Sequence, residues 1–269
     1  MTTHILAGFL LGAVIAALAW RLGALSASGA WAATLTGGLI FGLGGLPWAV
    51  LLLTFFISSS LLSRLFARRK AVLDEKFAKG TRRDWGQVLA NGGLGALLAL
   101  IALRLPGEAW PWFAFGGAMA AVNADTWATE LGAFSLKMPR LITNGRQVER
   151  GTSGGITLTG YAAAWGGALL IGLASLASAP NPTPIAWLAA ISLAGLAGST
   201  LDSILGASLE AIYYCPACRK ETERFPRHTC GTATERIRGL AWLNNDWVNF
   251  ACSLTGAGSA LLLWDLFLR

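Results

Sequence analysis

Three groups of carboxylate, amide and hydroxyl side chains interrupt stretches that are otherwise oily. Asn123, Asp125, Thr126 and Glu130 form the first. Ser199, Thr200, Asp202, Ser203 and Glu210 form the second, and Asn244, Asn245, Asp246 and Asn249 the third. Each lies in or beside a segment long enough to cross a bilayer. A charged side chain at the centre of a membrane helix costs about 2.5–3.5 kcal/mol on insertion scales. A chain that meets this cost repeatedly uses the groups together. Thr126 and Glu130 are four residues apart and share a helix face. An oxygen-rich face of that kind suits a hard cation, and Mg²⁺ typically takes one or two carboxylates plus substrate phosphate. Asp125, Asp202 and Glu130 are therefore the candidate Mg²⁺ ligands. Glu210 is a further candidate, although a surface charge at a helix end reads equally well. The alternative for all of them is pairing across the bundle.

The loop before the sixth apolar segment carries Arg146 and Arg150, then Gly151, Thr152, Ser153, Gly154 and Gly155. A glycine-rich turn feeding a helix N-terminus presents backbone N–H groups and the positive end of the helix dipole, which suits phosphate. The two arginines would add charge-assisted bonds. Gly/Ser turns also start helices for ordinary reasons, so position matters more than composition here. Asn123, Thr126, Ser199 and Ser203 offer further hydrogen bonds to the same phosphates. Asn91 does too, at the end of the stripe Arg83, Gln87, Asn91, which also reads as a solvated helix end. Asn245, Asp246 and Asn249 share a face, with Asn244 placed to cap it. They could orient a phosphate, a base or a lipid head group, or simply bond between helices. Asp125, Asp202, Asn245 and Asp246 form the candidate catalytic set.

Cys215, Cys218, His228 and Cys230 cluster in one loop. Two thiolates spaced CxxC with a following HxC can complete a tetrahedral Zn²⁺ site. Four protein ligands leave no open position, so such a zinc would be structural. A reduced thiol cluster is the other reading.

The elements that must position these groups are membrane helices. The 269 residues are 54% hydrophobic and only 13% charged, with mean hydropathy +0.55. Soluble domains carry about 25% charged residues. An all-α, polytopic bundle in a single integral domain, 1–269, follows, with loop 212–240 on one side. About eight spans are expected, at 4–20, 28–45, 47–64, 87–104, 109–132, 155–177, 184–211 and 243–267, each near the length that crosses the hydrocarbon. Gly44-Gly45-Leu46-Pro47, Pro106-Gly107 and Pro180-Asn181-Pro182-Thr183-Pro184 mark turns. The first span lacks a basic stretch before it and reads as a retained helix rather than a cleaved signal.

Of the 21 Lys and Arg residues, all but Arg104 and Arg269 then fall on one side. The positive-inside rule makes that side cytoplasmic, with both termini outside the cell membrane. The net charge of +7 is this bias and not a nucleic-acid footprint. All three polar clusters map to the cytoplasmic leaflet. A transporter should place polar groups along its whole depth. A one-sided cluster fits an enzyme that takes a soluble substrate from the cytoplasm and a lipid from the membrane.

The blocks Asn123-Ala124-Asp125-Thr126 with Glu130, Gly151 to Gly155, Gly198-Ser199-Thr200-Leu201-Asp202-Ser203 with Glu210, and Asn244-Asn245-Asp246 with Asn249 occur in this order along the chain. Together they resemble the membrane family of transmembrane protein 19 and plant phytyl-phosphate kinase. The central block also resembles CTP-using polyprenol kinases and CDP-diacylglycerol synthases. The Cys/His insert lies outside that pattern. The resemblance implies a kinase that uses a nucleoside triphosphate, CTP first, to convert an isoprenoid monophosphate such as phytyl or geranylgeranyl phosphate to the diphosphate. It implies Asp125 and Asp202 as the core positions. A membrane cytidylyltransferase and a lipid-phosphate transporter are the alternatives.

Overall fold

A computed structural model describes residues 2–70, 76, 79–80, 82–178 and 183–267; the turn expected at Pro180–Pro182 lies outside them. Among the described residues, seven helices account for most of the chain. They are α1 (Thr2–Arg21), α2 (Ala27–Lys70), α3 (Trp85–Arg104), α4 (Trp110–Gly132), α5 (Leu158–Ser178), α6 (Pro184–Ser208) and α7 (Asn245–Phe267). Six are long and apolar enough to cross a membrane. The seventh, α4, is not among them, because Asn123 and Asp125 interrupt its apolar run.

The expected second and third spans are joined in the 44-residue α2. That helix breaks at Gly45, whose φ of 74° and ψ of −163° are not helical. Positive φ costs glycine little, and Pro47, lacking an N–H, cannot bridge the break with an intrahelical bond. Arg83 shows that the chain reverses there. Its backbone bonds Ala24 and Ser26, just before α2. Its guanidinium lies over the rings of Phe55 and Phe56, beyond the break. At 1.5 Å per residue a straight helix would hold these two ends about 45 Å apart. The two arms of α2 therefore run back along each other.

The centre of the bundle is α4. Phe113, Phe115, Ala118 and Met119 are completely buried. It packs against α5, α6 and α7 through small residues. A side chain on Gly117 would strike the backbone carbonyl of Gly256 in α7, and one on Gly256 would strike that of Gly117. Such backbone-to-backbone approach is how membrane helices gain contact without a hydrophobic driving force. One end of the bundle is closed by aromatic rings. Trp48 stacks on Phe115 at 4.6 Å and tilts against Trp112 at 5.6 Å. Phe113 meets Trp187 at 4.6 Å and Trp264 at 4.9 Å.

The purely helical expectation needs correcting at the opposite end. β1 (Arg140–Leu141) and β2 (Gly155–Ile156) form a short antiparallel pair. Residues 155–157, expected within the sixth span, thus precede α5. The 212–240 segment folds as an antiparallel sheet in the order β4-β3-β5, with β3 at Ile212–Cys215, β4 at Lys220–Thr222 and β5 at Glu235–Arg238. The run Ile212-Tyr213-Tyr214 is rich in residues that favour strands. Asn244 caps α7 as expected, accepting from the backbone N–H groups of Asp246 and Trp247.

Candidate active site

At the end opposite the aromatic rings lies a cavity of about 350 Å³. Six helices, α2 to α7, and the loops between them converge on it. From α4 come Asp125, Thr126 and Glu130; from α6, Ser199, Asp202 and Ser203; from α7, Asn245, Asp246 and Asn249; and from α3, Gln87 and Asn91. Arg150 and the whole Gly151–Gly155 turn complete one wall. The three polar clusters of the sequence therefore share a single space.

The carboxyl groups of Asp125 and Asp202 lie close enough to interact, and Glu210 is a near neighbour of both. Oδ2 of Asp202 is buried with no hydrogen-bond partner. Two carboxylates held this close repel each other, and a cation between them would relieve that repulsion. Small residues bring them together. Gly198, one turn before Asp202, packs on Ala121 of α4 and on the Cys252 carbonyl of α7. A larger residue there would push α6 away and part the pair.

Glu130 stands elsewhere in the cavity. Ser63 of α2 donates to its Oε1 at 2.8 Å, and Arg83 is an electrostatic partner. The expected metal set thus divides: Asp125 and Asp202 meet, while Glu130 belongs to a group with Ser63 and Arg83. Burial holds the Arg83 guanidinium down at about 10, against the opposing pull of Glu130.

Glu210 does not line the cavity. Its side chain is buried and accepts from the Ser153 hydroxyl, so it holds the glycine-rich turn from behind. Gly154 has φ of +76°, and a side chain on it would overlap Ala207 at the end of α6. Both facts require glycine. The expectation that this turn runs directly into a helix N-terminus is corrected: β2 intervenes, and Thr157 caps α5 by accepting from the Gly160 N–H at 3.0 Å. The turn and the start of α5, at Gly160 and Tyr161, both line the cavity.

Besides Glu210, two residues proposed from sequence are not brought to the cavity. Asn123 is completely buried; its amide donates to the Gly167 carbonyl of α5 at 2.8 Å and accepts from Ser58 of α2 at 3.0 Å. It ties three helices together. Arg146 is exposed in the short turn that follows β1. Arg150 does reach the site, where it also donates to the Ser135 carbonyl.

Four further lining residues lay outside the set proposed from sequence. Lys79 donates to Asp246 at 2.5 Å and to Asp84 at 2.9 Å. Burial alone would lower its ammonium pKa, but the two carboxylates outweigh this and raise it. Asp246 is thus partly neutralised in place. Glu223 arrives from the end of β4, Tyr161 from α5 and Ser63 from α2. Only a weak hint existed for Tyr161, a polar ring one turn into an apolar helix.

Beside the cavity, the metal-binding atoms of Cys215, Cys218, His228 and Cys230 all lie within 4.8 Å of one another. Cys215 Sγ is 3.6 Å from Cys230 Sγ, and His228 Nδ1 is 3.4 Å from the same sulfur. This cluster could hold a metal ion. The sheet that carries it is anchored next to the active-site turn, where Arg238 donates to the Ala207 carbonyl.

Comparison with known proteins agrees with this membrane architecture. The family described as integral membrane protein DUF92 matches residues 10–257. Protein PGR of Arabidopsis thaliana is 35% identical over 78% of this chain and 79% of its own length. An uncharacterized membrane protein of Methanocaldococcus jannaschii is 37% identical over 62% of this chain and 66% of its own. Another, from a Synechocystis strain, is 31% identical over 71% and 69%. No solved structure matches.

Proposed function

The chain belongs to the DUF92 family of integral membrane proteins, and on that premise we propose that it is a membrane lipid kinase. It transfers the terminal phosphoryl group of a nucleoside triphosphate, with CTP the first candidate, to an isoprenoid monophosphate such as phytyl or geranylgeranyl phosphate. The observation that carries this reading is the Asp125–Asp202 contact, facing the same cavity as Arg150 and the Gly151–Gly154 turn.

The residues fit a hard cation. Asp202 Oδ2 is buried and unpartnered, the donors are all oxygen, and the neighbours offer phosphate ligands. Asp125 and Asp202 would hold Mg²⁺, which when bound supplies charge neutralisation to the phosphates. The chain's own groups do the rest. Arg150 and the backbone N–H groups of the glycine-rich turn hold nucleotide phosphates. Glu210 fixes Ser153 in that turn. Asn245 and Asn249 face the acceptor, and Lys79 keeps Asp246 neutral enough to sit beside a phosphate. In the reaction, an oxygen of the lipid monophosphate bonds to the γ-phosphorus as the bond to the β-phosphate oxygen breaks. Nucleoside diphosphate and lipid diphosphate leave. The acceptor is largely ionised at neutral pH, so positioning and charge neutralisation supply the catalysis.

The charge bias of the loops supports a cytoplasm-facing site, and the two arms of α2 together with α4 would bring the crossings to eight. Aromatic rings of Trp48, Trp112, Phe113, Phe115, Trp187 and Trp264 fill the far end, which speaks against a continuous transport path. Zn²⁺ at Cys215, Cys218, His228 and Cys230 would be structural, bracing the sheet that presents Glu223. The test is purified protein with Mg²⁺, labelled nucleotide and geranylgeranyl phosphate. Label in a lipid diphosphate supports the kinase. A CMP-bearing lipid with pyrophosphate release would make it a cytidylyltransferase, and no labelled lipid with any triphosphate would refute both.

A further inference from the structure

A second cavity lies between α1, both arms of α2 and α3. Its walls are apolar, formed by Ile15, Ala33, Phe41, Leu52, Phe55 and Val88 among others. Arg83, Gln87 and Asn91 line this cavity and the active-site cavity alike. These three residues, one just before α3 and two on it, thus form a polar boundary shared by the two spaces. Nη1 of Arg83 is buried there without a hydrogen-bond partner, while the guanidinium rests on the Phe55 and Phe56 rings. A buried N–H with no acceptor calls for one, and an anion answers a guanidinium best. Glu130 faces the same guanidinium from α4 without bonding Nη1.

We infer that this apolar cavity is the tail subsite of an anionic lipid, whose phosphate sits on Arg83, Gln87 and Asn91 and points into the active-site cavity. The inference rests on the lipid-phosphate reading of that cavity and adds where the lipid enters. Charge complementarity picks the occupant: an apolar slot ending in a cation and two amides matches a phosphate with a hydrocarbon chain, and matches neither a free alcohol nor inorganic phosphate. The volume is about 100 Å³. An apolar cavity of about 150 Å³ holds a benzene ring, so this one takes only the first few carbons after the phosphate. The remainder of the chain runs into the bilayer beside α1, which presents Leu6, Leu10, Val14 and Leu18 on its exposed face. The subsite therefore reads chain structure next to the phosphate and is indifferent to length beyond it.

Two glycines make the test clean. A side chain on Gly92 would first meet the Thr36 hydroxyl at 3.9 Å, and one on Gly37 would meet Leu52 at 3.9 Å. Both point into open cavity. The measurement is binding of radiolabelled geranylgeranyl phosphate to the purified full-length protein in detergent, without nucleotide, with thermal unfolding as the fold control. Gly92→Leu should bind at least tenfold more weakly than wild type, as should Arg83→Gln. Unlabelled geranylgeraniol and inorganic phosphate should each compete poorly with the wild type. Asp125→Asn should bind the lipid normally while losing transfer. Gly37→Leu fills the same space from α2 and replaces Gly92→Leu if that variant does not fold. A folded cavity-filling variant with wild-type affinity overturns the subsite. If binding follows these expectations but no phosphoryl transfer occurs with any triphosphate, the kinase reading falls and the lipid subsite stands.

Discussion

Lys79 and Asp246 are 167 residues apart in the chain and in ion-pair contact at 2.5 Å. The pair locks the segment before α3 onto the first turn of α7. Gly86 makes room for it, since a side chain there would overlap the Asp246 carboxylate. Lys79→Ala should therefore leave Asp246 without its main cation and lower both stability and lipid-phosphate binding. Asp246→Asn should relieve part of the Lys79→Ala defect. A double-mutant cycle on thermal unfolding checks this, and purely additive effects would separate the two residues.

The same contact sets a pH window. Lys79 has a pKa raised above the ordinary 10.5, so its stabilisation is complete below that value and is lost as pH rises through the higher folded one. Asp84 behaves oppositely. Burial pushes its pKa up, but the Gln87 N–H and Lys79 prevail and hold it below the ordinary 3.8. Its contribution is present above 3.8 and is lost as pH falls through the lower folded value. Unfolding temperature in detergent should fall at both extremes. In Lys79→Met the alkaline loss should shrink.

Asp125→Asn and Asp202→Asn should each reduce transfer about 100-fold or more, because a weakened cation site forfeits several kcal/mol of charge stabilisation. Neither should unfold the protein, since each removes one of two crowded carboxyl groups. Glu130→Gln, on a different part of the wall, should cost less. Full activity in Asp125→Asn would remove it from the metal role.

Gly154→Ala should damage the phosphate-holding turn. It adds a side chain at φ of +76° against Ala207, and strain of this kind costs about 1–3 kcal/mol. The expected signature is a higher KM for nucleotide with lipid binding unchanged. Ser153→Ala, which frees Glu210, should shift the same parameter less.

Metal analysis of purified protein should find about one zinc per chain. Cys215→Ser or strong chelation should release it and expose the 212–240 sheet to protease while α1–α6 stay protected. Retained protection after complete zinc removal would assign the cluster to reduced thiols.

Composition and charge placement determined that this is a helical membrane protein, and the ordered motifs determined its family. Hydropathy also located each helix to within a few residues, because burial in lipid demands a nearly unbroken apolar run. Local rules sufficed for the Asn244 cap and the Gly45–Pro47 reversal, since a cap or a break involves only neighbours in sequence. Helical spacing could put Asp125 on a face but not choose what that face meets. Packing of Gly117 on Gly256 and Gly198 on Ala121 decided that Asp125 meets Asp202 while Glu130 joins Ser63 and Arg83. Asn123, in the same motif as Asp125, turned out to be a helix tie, because two steps along a helix rotate a side chain by about 200°. Lys79, Glu223 and the polar boundary at Arg83 depend on contacts between distant segments, and no local pattern encodes those. Short strands at 140–156 and 212–238 escaped an all-helical reading for a related reason: they are fixed by pairing partners and by the clustered Cys and His side chains, not by periodicity.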